Sequence, residues 1–268
     1  MKTKNLLTKK QINNYQQNGV IPIYGLFKPW IKTIARGIKK NIDSPGIYFG
    51  ENTKPNEKGR FFEDYCNWNR IKEFERVVFD SPIANIASLL MNSSSVQFFH
   101  DHVLVKEAQT ETTTPWHQDA PYYFVDGEQT VSFWIPIDPV KENSLRFIAG
   151  SHKWKRPVIP TRWLSEENFY ADKNEYRPIP DPDSDSENFK ILHWELEPGD
   201  VIAFNFKTVH GAKGNFTDDT RRALSLRFFG DDSRYIKRPG ATSPPFPGHQ
   251  MKSGQKLRSD WFPFIPIQ

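Results

Sequence analysis

The chain has 268 residues, with 36 Lys and Arg against 32 Asp and Glu, and a formal net charge of +4. That balance creates no strong field of one sign, and it does not favour nucleic acid as a partner. A mean hydropathy of −0.67 without a long apolar run predicts no membrane span. Aromatic residues at 14% exclude a disordered chain and favour a single β-rich domain over residues 1–268 with a large core.

The cysteine content and the N-terminus bear on location. Cys66 is the only cysteine and cannot form an internal disulfide, so a reducing compartment is the simpler expectation. It is expected to be a small buried side chain inside a helix. The basic start of the chain is not followed by an apolar stretch of the kind that a secretory signal needs. These features predict a cytoplasmic protein.

The first third, residues 1–94, is predicted to form a helical layer. Thr8 and Gln11 have the spacing of a capping box, which starts a helix at Lys9, and Gly19 is expected to end it. The other elements predicted here are a strand at Val20–Tyr24 and helices at Trp30–Ile38, at about Phe62–Val78 and from Pro82 onward.

The pattern changes from Ser95 onward to short strands separated by turn residues. The predicted strands are Val96–Lys106, Thr130–Ile137, Leu145–Ala149, His193–Glu197, Val201–Phe206 and Ala223–Phe229. Residues 155–187 lack strong periodicity apart from a short helix predicted at Ser165–Tyr170, and they are expected to form a mobile lid. Residues 236–268 are predicted to be an extended segment. The expected fold is mainly β with flanking helices, with a double-stranded β-helix (jelly roll, cupin-like) core at about 95–235.

The residues richest in chemistry are His117 and Asp119, which flank Gln118. In extended backbone, residues two apart point to the same side, so this pair could occupy two neighbouring positions on one metal ion. His210 follows the apolar strand Val201–Phe206 and is the candidate third ligand. Together the three would form a set of two histidines and one carboxylate.

Arg221 begins a strand whose phase can be read from the sequence. Leu224, Leu226 and Phe228 alternate on one apolar face, which leaves Arg221 and the residues in phase with it on the other. A buried guanidinium needs an anionic partner. A cosubstrate carboxylate would supply that partner, and the open alternative is an internal ion pair with Asp218 or Asp219.

With these residues in this order, the chain resembles the phytanoyl-CoA dioxygenase family of non-haem iron, 2-oxoglutarate-dependent oxygenases. The matching stretches are Thr8–Phe27, Phe99–Tyr123, Val131–Trp154 and Glu197–Asp232. They contain the Trp-His-Gln-Asp run that ends at Asp119, the Gly-Ser-His run that ends at His152, the Pro-Gly-Asp turn that ends at Asp200, and His210-Gly211 with Arg221.

The resemblance implies a dioxygenase that takes Fe(II), 2-oxoglutarate and O2 and forms succinate and CO2 while it hydroxylates an unactivated C–H bond of a small organic substrate. It implies that His117, Asp119 and His210 bind the iron, and that Arg221 binds the distal carboxylate of 2-oxoglutarate. Related halogenases have a small residue in place of the acidic ligand, so the retained Asp119 disfavours halogenation. Some relatives carry a hydroxyl where this chain has Ala212, and Ser225 is predicted to take over that contact.

Further contacts are predicted from strand phase and from neighbouring aromatic residues. Lys106 is expected to contact the cosubstrate. The candidate substrate contacts are His102, Trp116, Tyr123, Trp134 and Arg227. Two alternatives stay open, a hydroxylase of an acyl-CoA thioester and a non-catalytic cupin-like protein that binds a small molecule. The expected partners are small molecules only, with neither nucleic acid nor membrane, in a monomer or homodimer.

Overall fold

The computed structural model describes residues 6–165, 167–171 and 175–267. Its α-helices are α1 Lys9–Asn18, α2 Ile31–Asp43, α3 Lys72–Asp80 and α4 Ile83–Met91. Its strands are β1 Val20–Ile23, β2 Gly50–Glu51, β3 Phe61–Tyr65, β4 Gln97–Lys106, β5 Thr114–His117, β6 Val125–Asp126, β7 Thr130–Pro136, β8 Leu145–Ile148, β9 Ile191–His193, β10 Val201–Phe204, β11 His210–Ala212, β12 Arg221–Phe229 and β13 Arg234–Tyr235. None of the described helices is long and apolar enough to cross a membrane.

Two antiparallel sheets form the core. The larger has seven strands in the order β1-β10-β7-β12-β4-β3-β2, and the smaller has four in the order β5-β11-β8-β9. Side chains from both sheets form one apolar cluster, in which the rings of Phe147 and Phe204 lie 5.2 Å apart. The predicted mainly β architecture with a double-stranded β-helix core is confirmed.

The helices cover the outer face of the larger sheet. Leu224, Leu226 and Phe228 of β12 belong to the same buried cluster as Ile34 of α2 and Phe74 of α3. This confirms the strand phase predicted from the sequence, because alternate residues of β12 must then point between the two sheets. β1, β2 and β3 join the larger sheet, so residues 1–94 contribute strands as well as a helical layer.

The first helix follows the sequence prediction closely. Thr8 caps α1, and its side chain and that of Gln11 form the reciprocal capping box. Gly19 ends the helix in the left-handed region, with φ of 78°. A Cβ at Gly19 would lie only 2.4 Å from the Thr208 hydroxyl and from Nδ1 of His152.

We therefore expect Gly19→Ala to lower the free energy of unfolding by about 2–5 kcal/mol, since a left-handed backbone costs about 1–2 kcal/mol and overpacking about 1–3 kcal/mol. Gly248→Ala is the matched control, because Gly248 also has positive φ, at 87°, but a Cβ there would meet nothing within 4 Å. Urea unfolding measures both variants. Equal losses would contradict the proposed steric clash at Gly19.

Two predicted elements outside the insertion are wrong, both where packing overrides local pattern. The helix predicted at about Phe62–Val78 is the strand β3 followed by α3, because pairing with β4 holds Phe61–Tyr65 extended. Cys66 consequently follows a strand, half-buried and with φ of 60°. The strand predicted at His193–Glu197 instead spans Ile191–His193, which pairs with β8.

The insertion and the C-terminal segment pack on the domain. Of the helix predicted at Ser165–Tyr170, residue 166 lies outside the described residues, as do residues 172–174 of the predicted lid. The described residues 165 and 167–170 form a turn, bends and a bridge between Thr161 and Asn168, so the predicted helix is wrong over these residues. In the C-terminal segment, Phe262 is fully buried and the Ile265 N–H donates to the carbonyl of Val96 at 2.8 Å.

Candidate metal centre and its cavities

Two histidines meet across the smaller sheet. His117 ends β5, His210 begins β11, and the two residues lie directly opposite each other in the antiparallel pair. Their ring centroids are 4.2 Å apart. The pairing of β5 with β11 thus brings together residues that are far apart in the chain.

Asp119 completes the cluster. Its Oδ1 lies 3.8 Å from Nε2 of His117 and 3.9 Å from Nε2 of His210. One ligand atom from each of the three residues lies within 4.8 Å of the other two, in a group that could hold a metal ion. Asp119 has helical backbone angles, φ −66° and ψ −41°, so a turn directs its carboxylate at the histidines. The extended backbone predicted at this residue from the sequence is therefore wrong.

Hydrogen bonds determine which atoms face the centre. Nδ1 of His117 lies 2.8 Å from the Pro115 carbonyl, and Nδ1 of His210 lies 3.0 Å from the Thr208 carbonyl. Because a carbonyl only accepts, each Nδ1 carries the proton and each Nε2 offers its lone pair.

The carboxylate of Asp119 is oriented in the same way. Its Oδ2 accepts from the Ser132 hydroxyl at 3.1 Å and from Nε of Arg227 at 3.3 Å. These bonds leave Oδ1 directed at the two histidines.

Burial and neighbouring charges set the protonation of the cluster. Burial, reinforced by His210, lowers the pKa of His117 to about 3, and burial also lowers the pKa of His210. Burial alone would raise the pKa of Asp119, but Arg227 and the two histidines hold it well below its usual range. At neutral pH the cluster is therefore two neutral imidazoles and one carboxylate, which are the forms that bind metal.

Arg221 lies buried between the sheets, and no acidic side chain among the described residues pairs with it. Its Nη1 donates to the carbonyl of Asn143 at 2.5 Å, whereas its Nε has no hydrogen-bond partner in the described part of the chain. Burial lowers the pKa of Arg221 to about 10, so the group stays cationic at neutral pH. None of the ion pairs among the described residues joins it to Asp218 or Asp219, the alternative that the sequence left open.

A narrow cavity of about 30 Å³ joins Arg221 to His117 and His210. Ser225 and Trp134 line it too, and the Ser225 hydroxyl and the Trp134 indole N–H are buried without partners among the described residues. Three unsatisfied donors thus face a space beside the candidate ligands. This lining matches an acidic, oxygen-rich small molecule.

Lys106 has a different environment from the one predicted. Its ammonium group donates to the carbonyls of Thr112 at 2.8 Å and Lys213 at 3.3 Å, and it lies 4.5 Å from the centre of the Phe61 ring. Lys106 lines neither the narrow cavity nor the larger cavity that borders His117 and Asp119. A contact between Lys106 and a cosubstrate stays a prediction, and the observed bonds tie two loops to β4.

A larger cavity of about 200 Å³ borders the candidate ligands His117 and Asp119. Among the predicted substrate contacts, His102, Tyr123 and Arg227 line it, and Trp134 lines the narrow cavity. Trp116 lines neither, because it alternates with His117 in β5 and its ring packs under the guanidinium of Arg146 at 5.1 Å.

Several residues that line the larger cavity were not predicted from the sequence. Glu63 and Tyr65 lie in β3, the strand mistaken for a helix, whereas alternation within Phe61–Tyr65 could have placed both on one face. Trp163 comes from the insertion, and its ring lies 5.1 Å from that of His117. No periodic signal marks it. The insertion therefore covers the site, while its mobility stays a prediction.

The fold and the candidate metal site together indicate the class of protein. Two histidines and one carboxylate converge on a candidate metal position between the sheets of a double-stranded β-helix. The family model of phytanoyl-CoA dioxygenase (PhyH) matches residues 15–223. The chain belongs to this family, which confirms the resemblance found in the sequence and the assignment to a class of enzymes, the dioxygenases.

Relatives and solved structures agree with that assignment. The human "Phytanoyl-CoA dioxygenase, peroxisomal" is 21% identical over 265 residues, covering 89% of this chain and 73% of that protein. A Caenorhabditis elegans "Probable phytanoyl-CoA dioxygenase" is 24% identical over 186 residues, which cover 67% of this chain but 54% of the relative, so the match spans about half of that protein.

Two solved structures share the fold. The non-haem α-ketoglutarate-dependent carbocyclase SnoK from nogalamycin biosynthesis has a TM-score of 0.75 at 19% identity, over 97% of both chains. EctD from S. alaskensis, crystallised with 2-oxoglutarate and 5-hydroxyectoine, has a TM-score of 0.69 at 19% identity, over 94% of this chain and 86% of that chain.

Proposed function

We propose that this chain is an Fe(II)- and 2-oxoglutarate-dependent dioxygenase that hydroxylates a C–H bond of a small organic molecule. The observation that carries the proposal is the convergence of three buried ligand atoms beside a buried arginine that has no acidic partner in the described structure. One structural relative named as an α-ketoglutarate-dependent carbocyclase and another crystallised with 2-oxoglutarate support it.

The donor set fits iron. Two imidazoles and one carboxylate leave open positions on a six-coordinate ion, which is the arrangement that non-haem Fe(II) oxygenases use. His117, Asp119 and His210 would hold the metal, and the carbonyls of Pro115 and Thr208 keep the two rings in the ligating orientation. Bound iron with its cosubstrate supplies the oxidising power that amino-acid side chains lack.

The role of the protein's side chains is to bind the cosubstrate and to orient the metal ligands. Arg221, whose Nε has no partner among the described residues, would bind a carboxylate of 2-oxoglutarate, and Ser225 and Trp134 would add two further donors in the same cavity. Arg227 fixes the carboxylate of Asp119 through Oδ2 and so keeps Oδ1 turned toward the metal position. These contacts would place the cosubstrate beside the metal position before any chemistry begins.

The larger cavity is the proposed substrate site. Aromatic side chains form much of its wall, namely Tyr65, Tyr122, Tyr123, Trp163 and Phe169. They exclude water from the region next to the metal position and favour a substrate with an apolar body. The retained carboxylate ligand favours hydroxylation over halogenation.

The test is product formation. We expect the purified protein with Fe(II), 2-oxoglutarate and O2 to release succinate, and addition of the right substrate to increase the rate. Omission of iron or oxygen should abolish the release. Iron-loaded, folded protein that never forms succinate across a broad set of small organic molecules would favour the non-catalytic binding protein instead.

The names of the curated relatives favour one second candidate, a hydroxylase of an acyl-CoA thioester. Free branched-chain acids and their CoA esters, assayed side by side for stimulated succinate release, separate the two functions. A response to the esters alone would establish the second candidate.

A further inference from the structure

His102 occupies the junction of the two cavities, and one of its ring nitrogens is left without a partner. It lies on β4 between Tyr65 of β3 and Ser225 of β12. His102 is 2% exposed and lines both cavities. Its Nδ1 is buried and has no hydrogen-bond partner in the described part of the structure.

The other side of the ring is held rigidly. Nε2 of His102 lies 3.1 Å from Oε2 of Glu63, and the Tyr65 hydroxyl donates to the same carboxylate at 3.2 Å. The Tyr65 ring also stacks on His102, with centroids 3.9 Å apart. Glu63 thus acts as a positioning residue for the His102 ring, and Tyr65 is the third member of this cluster.

This cluster assigns the proton on the ring. Although burial opposes it, the bond to His102 lowers the pKa of Glu63, so the carboxylate is ionised and only accepts. Nε2 of His102 must therefore donate. Burial lowers the pKa of His102, which keeps the imidazole neutral and leaves Nδ1 as a bare lone pair.

None of the described side chains assigned to the site donates to that lone pair, including the Ser225 hydroxyl on the neighbouring strand, which is itself without a partner there. Both carboxylates of 2-oxoglutarate only accept hydrogen bonds. Nη1 of Arg227 lines the same cavity but is itself unpaired, so the two groups do not satisfy each other. Nor does His102 belong to the candidate metal cluster found among the described residues. A buried acceptor in such a place selects for a ligand that brings a donor.

We propose that the substrate of this site carries a hydroxyl or N–H group beside an apolar body, and that Nδ1 of His102 receives its hydrogen bond. The inference rests on the proposed function only in taking the larger cavity as the substrate site. The Glu63-supported ring then determines specificity, because a substrate without the donor leaves the acceptor buried and unpaired.

The first experiment needs neither metal nor turnover. Nitrogen NMR of metal-free protein with isotopically labelled histidine reports which ring nitrogen of His102 carries the proton. The probes are matched aromatic pairs, each an alcohol and its methyl ether, beginning with benzyl alcohol and benzyl methyl ether. We expect a protonated Nε2 and a bare Nδ1, and a Nδ1 resonance that shifts with the alcohols only, with affinity about tenfold higher than for the ethers.

Two isosteric variants provide the matched control. In His102→Gln the amide nitrogen replaces Nε2 and can still donate to Glu63, but the acceptor at the Nδ1 position is lost. In His102→Asn an amide oxygen can replace Nδ1. We expect the preference for alcohols to disappear in His102→Gln and to persist in His102→Asn, with thermal unfolding used to confirm that both variants fold.

A Nδ1 that carries the proton, or the absence of a donor preference in every probe pair, would overturn the inference. Either result leaves iron and 2-oxoglutarate binding untouched, because the NMR experiment contains neither. Conversely, a protein that shows the alcohol preference but never binds 2-oxoglutarate would refute the proposed function and keep the assignment of His102.

Discussion

Replacing Asp119 with alanine is expected to abolish iron-dependent succinate formation. Asp119 is the only charged side chain among the three candidate ligands, and loss of a partner that merely supports a ligand already costs about 10–100-fold in metal affinity or activity. We expect activity to fall by more than about a hundredfold, measured as succinate released per protein at saturating 2-oxoglutarate.

The same substitution has a second, structural effect. Arg227 is buried and donates to Asp119, so the variant leaves a cation without its carboxylate, at a cost of about 3–5 kcal/mol. Thermal unfolding of the metal-free protein separates this effect from metal loss. Asp126→Ala, an exposed position in β6, is the control and should keep full activity. Wild-type succinate yield in Asp119→Ala would refute the site assignment.

Arg221→Ala is expected to weaken 2-oxoglutarate binding with a smaller effect on the rate at saturation. A hydrogen bond to a charged group contributes about 1.5–3 kcal/mol, which corresponds to roughly a ten- to hundredfold rise in the KM for 2-oxoglutarate. Steady-state kinetics with varied 2-oxoglutarate measure the change.

Arg222→Ala is the matched control for Arg221→Ala. Arg222 is the next residue on the same strand, but its half-exposed guanidinium pairs with Asp138, with Nη2 and Oδ1 2.6 Å apart. Its loss should leave the KM for 2-oxoglutarate unchanged. If Arg221→Ala also kept the wild-type KM, the cosubstrate would have to bind elsewhere.

Features that depend on residues close together in the chain were predicted correctly from the sequence. The capping box at Thr8 and Gln11 predicted the start of α1, because capping depends on residues three apart. Alternation along β12 predicted which side chains face the helices, and so placed Arg221 between the sheets. Each of these signals lies within a single helix or strand, where interactions between nearby residues determine the local structure.

Contacts that depend on pairing between distant strands could not be predicted from the sequence pattern. The contact between His117 and His210 arises from the pairing of β5 with β11, and recognition of family motifs, rather than spacing, suggested it. The turn at Asp119 was not anticipated either. The β3 strand was misread because its burial comes from β4, and that error hid the Glu63 and Tyr65 contacts to His102.

The most direct test of the central claim is to add Fe(II) and 2-oxoglutarate to the purified protein without oxygen and record the visible spectrum. A metal-to-ligand charge-transfer band forms only when the cosubstrate chelates the bound metal. We predict the band in the wild-type protein, its loss in His210→Ala, and its recovery in Arg221→Ala only at higher 2-oxoglutarate. Its absence from folded, iron-loaded wild-type protein would contradict the account.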